Sequence, residues 1–233
     1  MRLIWIVFLA VVAIIMVFVI IPTYAPTVTT QTVIRDSQAT AGDALVLMNQ
    51  SELAIMWYDN ALAVNTSDPV LLKKKGEALI KCGRAEEAGQ IYQQVLSDNR
   101  NDTVALVRAG DALNKQGNYA GALEYYDAAL AVNPNDAKTW LRKGDTHMMI
   151  SEGEQQRLHD VAKGFSKQPG SAGYQEISAD QLPSMESQQK AVESYKKAME
   201  IDPKLSVIVS ARILEATQSQ VSNYQSLLND VQS

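Results

Sequence analysis

Apolar and polar positions alternate most regularly from Thr103 to Asp136, where the spacing predicts two short amphipathic helices back to back. The first places Leu106, Ala109, Gly110 and Leu113 on one stripe, separated by the threes and fours of a 3.6-residue period. The second does the same with Tyr119, Ala122, Leu123, Tyr126, Ala129 and Leu130. Gly117-Asn118 marks the turn between them and Asn133-Pro134-Asn135 the exit. The small residues Gly110, Ala122 and Ala129 fall where two helices must approach closely.

The pattern recurs on both sides. From Arg35 to Asp68, Gly42 and Leu45 fill the first-helix positions and Ala54, Tyr58 and Ala61 the second; the ending AVNTSD matches the later AVNPND with Thr66 in place of proline. From Pro69 to Asp102, Leu72, Gly76, Leu79 and Gly83 serve the first helix and its turn, and Ala88, Tyr92 and Val95 the second. Arg100 takes the proline position there, which predicts a less rigid closing turn. A last unit opens at Ala137 with Trp140 and Gly144 and resumes with Ala191, Tyr195, Ala198 and Pro203. This spacing resembles the tetratricopeptide repeat (TPR), a 34-residue helix-turn-helix with small residues at the crossing and a closing proline. The resemblance implies an all-α, right-handed TPR solenoid over 35–203, with repeats at 35–68, 69–102, 103–136 and 137–203. In the fourth unit the second helix is displaced by an insertion at about 151–187. Helical character over Glu152 to Phe165 gives way there to a Gly-, Ser- and Pro-rich stretch reaching Pro183.

The two ends read differently. Leu3 to Ile21 carries no charge, glycine or proline, and at 1.5 Å per residue it extends roughly 28 Å, about one hydrocarbon core. We read it as a transmembrane signal-anchor helix that places the chain in contact with the bilayer through 3–21. The alternative is a cleaved leader, whose apolar region is normally shorter. Arg2 before the run, with no charge after it until Arg35, predicts a single-pass cell-membrane protein whose C-terminal domain is extracytoplasmic. Residues 22–34, with two prolines and five threonines, form a linker. In the tail, 204–233, a stripe of Val221, Tyr224, Leu228 and Val231 predicts a capping helix over the exposed end of the stack.

Composition narrows the chemistry. A net charge of -5 and a pI near 5.1 argue against a nucleic-acid surface. The single cysteine, Cys82, excludes an intrachain disulfide framework and reads as a small buried thiol. Asp145, His147 and His159 invite comparison with a metal site, but His147 occupies a position where the repeat packs a ring. No phosphate-binding glycine motif is present. We therefore expect no enzyme, no cofactor and no metal. Three Asn-x-Ser/Thr sequons begin at Asn49, Asn65 and Asn101, all in predicted turns.

TPR proteins receive partner peptides in a groove lined by their first helices. The resemblance thus implies a membrane-anchored scaffold or adaptor for protein–protein interaction, in the assembly of a membrane or cell-surface complex. In the co-chaperone subfamily a terminal carboxylate is clamped by Lys, Asn and Arg. Aligning that pattern places Lys73, Lys138 and Arg142 on matching positions, with Glu77 and Arg108 where asparagines are expected. Lys73, Arg108, Lys138 and Arg142 are the candidate peptide-groove residues, and an acidic segment the partner they imply. The alternatives are a structural component that self-associates through the solenoid's ends, or an enzyme or ligand-binding site built around 151–187.

Overall fold

The computed structural model describes residues 30–165 and 183–218, with side chains described over 31–157 and 186–218. Among the described residues all regular structure is helical, ordered as the antiparallel hairpins of a TPR-like solenoid. The chain divides into two compact units, Met1–Cys82 and Gly83–Ser233. The first holds α1 (Thr30–Leu47), α2 (Ser51–Leu62) and α3 (Pro69–Lys81). The second holds α4 (Ala85–Asp98), α5 (Thr103–Lys115), α6 (Tyr119–Val132), α7 (Ala137–Phe165) and α8 (Pro183–Ile201). A 3-10 turn at Pro203–Leu205 then leads into α9, helical over 206–218. Within each unit, successive helices pack on one another.

The connections explain why the helices start and stop where they do. Asp68, Asp102 and Asp136 cap α3, α5 and α7, each accepting from backbone N–H groups of the first turn at 2.9–3.4 Å. Three residues before each cap, Asn65, Asn99 and Asn133 fold the exit by accepting a hydrogen bond from the N–H two residues on. All three exits share this arrangement, although only the last contains proline. The turn expected to be loose at Arg100 is therefore built by asparagine, and its Asn101 N–H to Asn99 bond, 3.1 Å, is the shortest of the three. At the hairpin turns the chain needs positive φ, supplied by Gly83 (79°) and Gly117 (77°) and, in the first repeat, by Asn49 (58°).

The core repeats one contact. The rings of Tyr58, Tyr126 and Tyr195, all buried, lie against Gly42, Gly110 and Gly144. A Cβ built on Gly110 would stand 2.6 Å from Tyr126 Cε1, far inside the roughly 3.5 Å of normal carbon contact. Glycine is required there by the ring of the facing helix.

In the fourth repeat α7 does not end near residue 150; it runs 29 residues to Phe165. Its Ser151 is fully buried and Glu154 accepts from Ser187 Oγ on α8 at 3.2 Å, so the first turns of the insertion belong to the helix pair. Residues 166–182 lie outside the described residues. α9 covers the end of this pair: Val209 and Ala216 join Met148, Ala191, Tyr195 and Ala198 in one buried cluster, with Ile213 against it. The tail stripe from Val221 to Val231 lies outside the described residues.

Two readings need correction. Cys82 is half-buried at the C-cap of α3, because the chain leaves the helix there for the Gly83 turn. The single-pass cell-membrane placement with an extracytoplasmic domain is not upheld. Among the described residues no helix is long and apolar enough to cross a membrane. The longest, α7, carries Lys138, Arg142, Lys143 and Asp145 within its first turns. The run Leu3 to Ile21 and the linker up to residue 29 lie outside the described residues.

Candidate interaction surfaces

Asp43, Asp111 and Asp145 directly follow the three glycines against which the tyrosines pack. Each accepts a hydrogen bond from its tyrosine: Tyr58 Oη at 2.8 Å, Tyr126 Oη at 2.9 Å and Tyr195 Oη at 2.8 Å. Each also meets a cation from a later helix. Lys74 donates to Asp43 at 2.6 Å, Arg142 Nε to Asp111 at 2.9 Å, and Arg212 approaches Asp145 at 2.8 Å. Every such carboxylate thus links the ring of its own hairpin to the helix that follows. For all three tyrosines burial raises the hydroxyl's pKa, and the neighbouring carboxylate adds to it. Burial alone would raise Asp43, yet the hydrogen bonds from Lys74 and Tyr58 bring it below its ordinary value. Asp145 is raised, because burial outweighs Tyr195 and Arg212.

This network decides the state of the candidate groove cations. Arg108 Nη1 reaches Asp111 at 3.2 Å from the same helix, so Arg108 and Arg142 converge on one carboxylate. Lys138, one turn before Arg142, is exposed, and its carbonyl accepts from Arg142 Nη1 at 3.4 Å. Lys73 is half-buried on α3 and belongs to the first unit, whereas the other three belong to the second. The structure therefore brings together Arg108, Arg142 and the neighbouring Lys138, around an acidic residue that the alignment did not weigh.

Removing that residue gives a direct test of the network. Asp111→Leu would leave the buried Tyr126 hydroxyl without an acceptor, an effect of about 1–3 kcal/mol. Asp111→Asn keeps an acceptor oxygen and should retain most of the stability. Urea unfolding of the two variants checks this; equal midpoints would show that the hydrogen bond is immaterial.

Of the residues compared above with a metal site, Asp145 and His147 are accounted for by pairing and packing. Asp145 is engaged by Tyr195 and Arg212. His147 is buried, with its pKa lowered to about 4 chiefly by that burial, and the side chain of His159 lies outside the described residues. Among the described residues no group of three or more His, Cys, Asp or Glu side chains could hold a metal ion.

The structure also exposes a surface that the helical periodicity left unremarked. On α2, Leu53, Met56 and Trp57 share one face and are exposed, Met56 by 61%. Residues thirty-four and sixty-eight positions on are Glu87 and Gly121 for Leu53, and Gln90 and Glu124 for Met56. That comparison between repeats was available in the sequence. It marks the first repeat as apolar at two positions where its sister repeats are polar or small, whereas at Trp57 they also carry large side chains, Ile91 and Tyr125.

Comparisons with known proteins agree with this architecture. Tetratricopeptide repeat models match residues 103–146 and 184–205. The first spans α5, α6 and the start of α7; the second spans nearly all of α8 and the turn after it. No curated protein matches the chain. Among solved structures, a crystal structure of MamA protein aligns with a TM-score of 0.58 at 15% identity, over 84% of this chain and 91% of that one. A second MamA crystal structure gives 0.56 at 17% identity, over 82% and 94%. MamA 41-end from Desulfovibrio magneticus RS-1 gives 0.55 at 17% identity, over 84% and 95%. At such identities the likeness is one of fold: the chain carries tetratricopeptide repeats in a TPR-like helical solenoid.

Proposed function

We propose that this chain is a non-enzymatic scaffold that binds protein partners, with the apolar stripe Leu53, Met56 and Trp57 of α2 as a principal contact. The observation that carries the reading is the exposure of these three side chains, with Leu53 and Met56 at positions where the later repeats place Glu87 and Gly121, and Gln90 and Glu124. Clustered apolar residues at helical spacing on an outer face mark a protein-contact surface. Support for the absence of catalysis is the engagement of Asp145 and the burial of His147.

A second, narrower contact is the groove of Arg108, Lys138 and Arg142, for an acidic partner segment. Because Asp111 already engages Arg108 and Arg142, an incoming carboxylate would compete with it, and Lys138 would be met first. Attraction of this kind weakens with salt.

Both contacts are tested by placing a photo-crosslinking residue at Met56 or at Lys138 in the full chain and irradiating intact cells. Protein adducts at Met56 that vanish with Trp57→Ser are the expected result. Adducts at Lys138 that increase with Asp111→Asn would place an acidic partner in the groove. No adduct at either position would overturn the scaffold reading.

A further inference from the structure

In the second unit a cleft of about 290 Å³ opens between α8 and the end of α9. Gln188, Val192 and Lys196 line it from α8, spaced by four so that they share one stripe, and Ala216 and Thr217 line it from α9. Its floor is apolar, because Ala216 belongs to the buried cluster that joins the two helices and Val192 packs against that cluster. One polar group interrupts the floor. Gln188 is 5% exposed, and among the described residues its Nε2 has no hydrogen-bond partner. A buried amide donor normally finds an acceptor, since leaving it unpaired forfeits the hydrogen bonds it makes with water. The terminal torsion of a glutamine is soft, so a small rotation turns Nε2 toward an acceptor lodged in the cleft.

We propose that this cleft binds a small uncharged molecule through a carbonyl oxygen: an amide, ester or lactone with a short aliphatic body. The chemistry of the wall selects the class. The carbonyl accepts from Gln188 Nε2, and the aliphatic part covers Val192 and Ala216. The rim carries one carboxylate, Glu193, and one ammonium, Lys196, both exposed. Their charges offset each other and leave no net field to draw an ion inward. An ion would also be held poorly, because the group that the floor offers it, Gln188, is neutral, and a charge withdrawn from water needs a charged partner. Thr217 Oγ1 already donates to the Leu214 carbonyl at 2.9 Å, so toward a ligand it acts as an acceptor. Gln188 is therefore the donor that fixes the ligand's orientation. The volume lies at the lower end of the range for ligand pockets, so the ligand is small and its affinity on the order of millimolar. The site is separate from the protein contacts proposed above and does not depend on them.

The test uses the full chain in a non-ionic detergent that keeps the run Leu3 to Ile21 dispersed, with N-isobutylacetamide as the probe. The nitrogen-15 resonance of the Gln188 side-chain amide, identified by its loss in Gln188→Met, should shift saturably as probe is added. Isovalerate and isoamylammonium are close to the probe in size but charged, and each should bind at least about tenfold more weakly. Two variants are then compared by saturation transfer from protein to probe. Gln188→Met keeps the volume and removes the donor, so its thermal midpoint should equal or exceed the parent's while binding falls at least about tenfold. Thr217→Trp starts from an exposed position and sets a ring across the cleft, and it should abolish binding. Should Gln188→Met fail to fold, Thr217→Trp decides alone. The absence of a saturable shift, or unchanged binding in either folded variant, would overturn the proposal. Isovalerate or isoamylammonium binding as tightly as the amide would overturn the choice of an uncharged ligand.

Discussion

Gly110→Leu should be strongly destabilising, and Gly110→Ala measurably so. An alanine Cβ would lie 2.6 Å from Cε1 and 2.9 Å from Cδ1 of Tyr126. The ring cannot swing aside freely: it is fully buried, and its hydroxyl is tied to Asp111 at 2.9 Å. Alanine gains up to about 1 kcal/mol over glycine in helix propensity, but overpacking of a dense core costs about 1–3 kcal/mol. Alanine should therefore come out net destabilising. Leucine, with three further heavy atoms to place between α5 and α6, should reach or exceed the top of that range. Replacing Tyr126 by alanine removes the obstacle, so Gly110→Ala should lose most of its added effect in that background. Thermal scans of the four proteins complete the cycle. A Gly110→Ala midpoint equal to the parent's, or equal effects of that change in both backgrounds, would refute the steric account.

The glycine illustrates what the sequence could and could not say. Gly42, Gly110 and Gly144 recur at multiples of thirty-four residues, so a close approach was legible from spacing. Its partner was not, because the small residues of the facing helix, Ala122 and Ala129, suggested backbone against backbone. In the structure the gap is filled by a tyrosine ring. The helix exits show the opposite error. Attention to proline predicted loosening at Arg100, while the asparagine at each exit already held the turn.

The candidate groove was legible only in part, for a reason of distance along the chain. Arg142 meets Asp111 across thirty-one residues, and Lys74 meets Asp43 across the same interval. A position-by-position alignment to a clamp finds the cations but not Asp111, which lies one repeat before Arg142 and on the same helix as Arg108. The Tyr–Asp–cation link is nonetheless written in the repeat: an acid after each glycine and a ring in each second helix. Its consequence is that Arg108 and Arg142 serve the stack before they serve any ligand, which is why the apolar face of α2 carries more of the functional argument.

Acid should weaken the second unit through His147. The imidazole is 8% exposed, and burial, aided by Lys143 and Lys190, lowers its pKa to about 4; Asp127 opposes this only in part. In the unfolded chain the ring takes up a proton below about 6.5. Between pH 6.5 and 4 the unfolded state therefore binds a proton that the folded state refuses, and stability must fall as pH falls across that window. At about 1.4 kcal/mol per unit, the loss near pH 4.5 is about 2–3 kcal/mol. Asp145 works in the other direction. Its raised pKa means that folding favours its protonated form, so acidification toward its folded pKa returns some stability. Asp43, held low by Lys74 and Tyr58, contributes stability above its unfolded pKa and loses it only below this window. The histidine's share is isolated by comparing the parent with His147→Leu in urea at pH 7 and pH 4.5. The parent should lose about 2–3 kcal/mol more than the variant between the two. Equal losses in both proteins would show that the ring accepts its proton in the folded state as readily as in the unfolded one, and that its burial does not govern its titration.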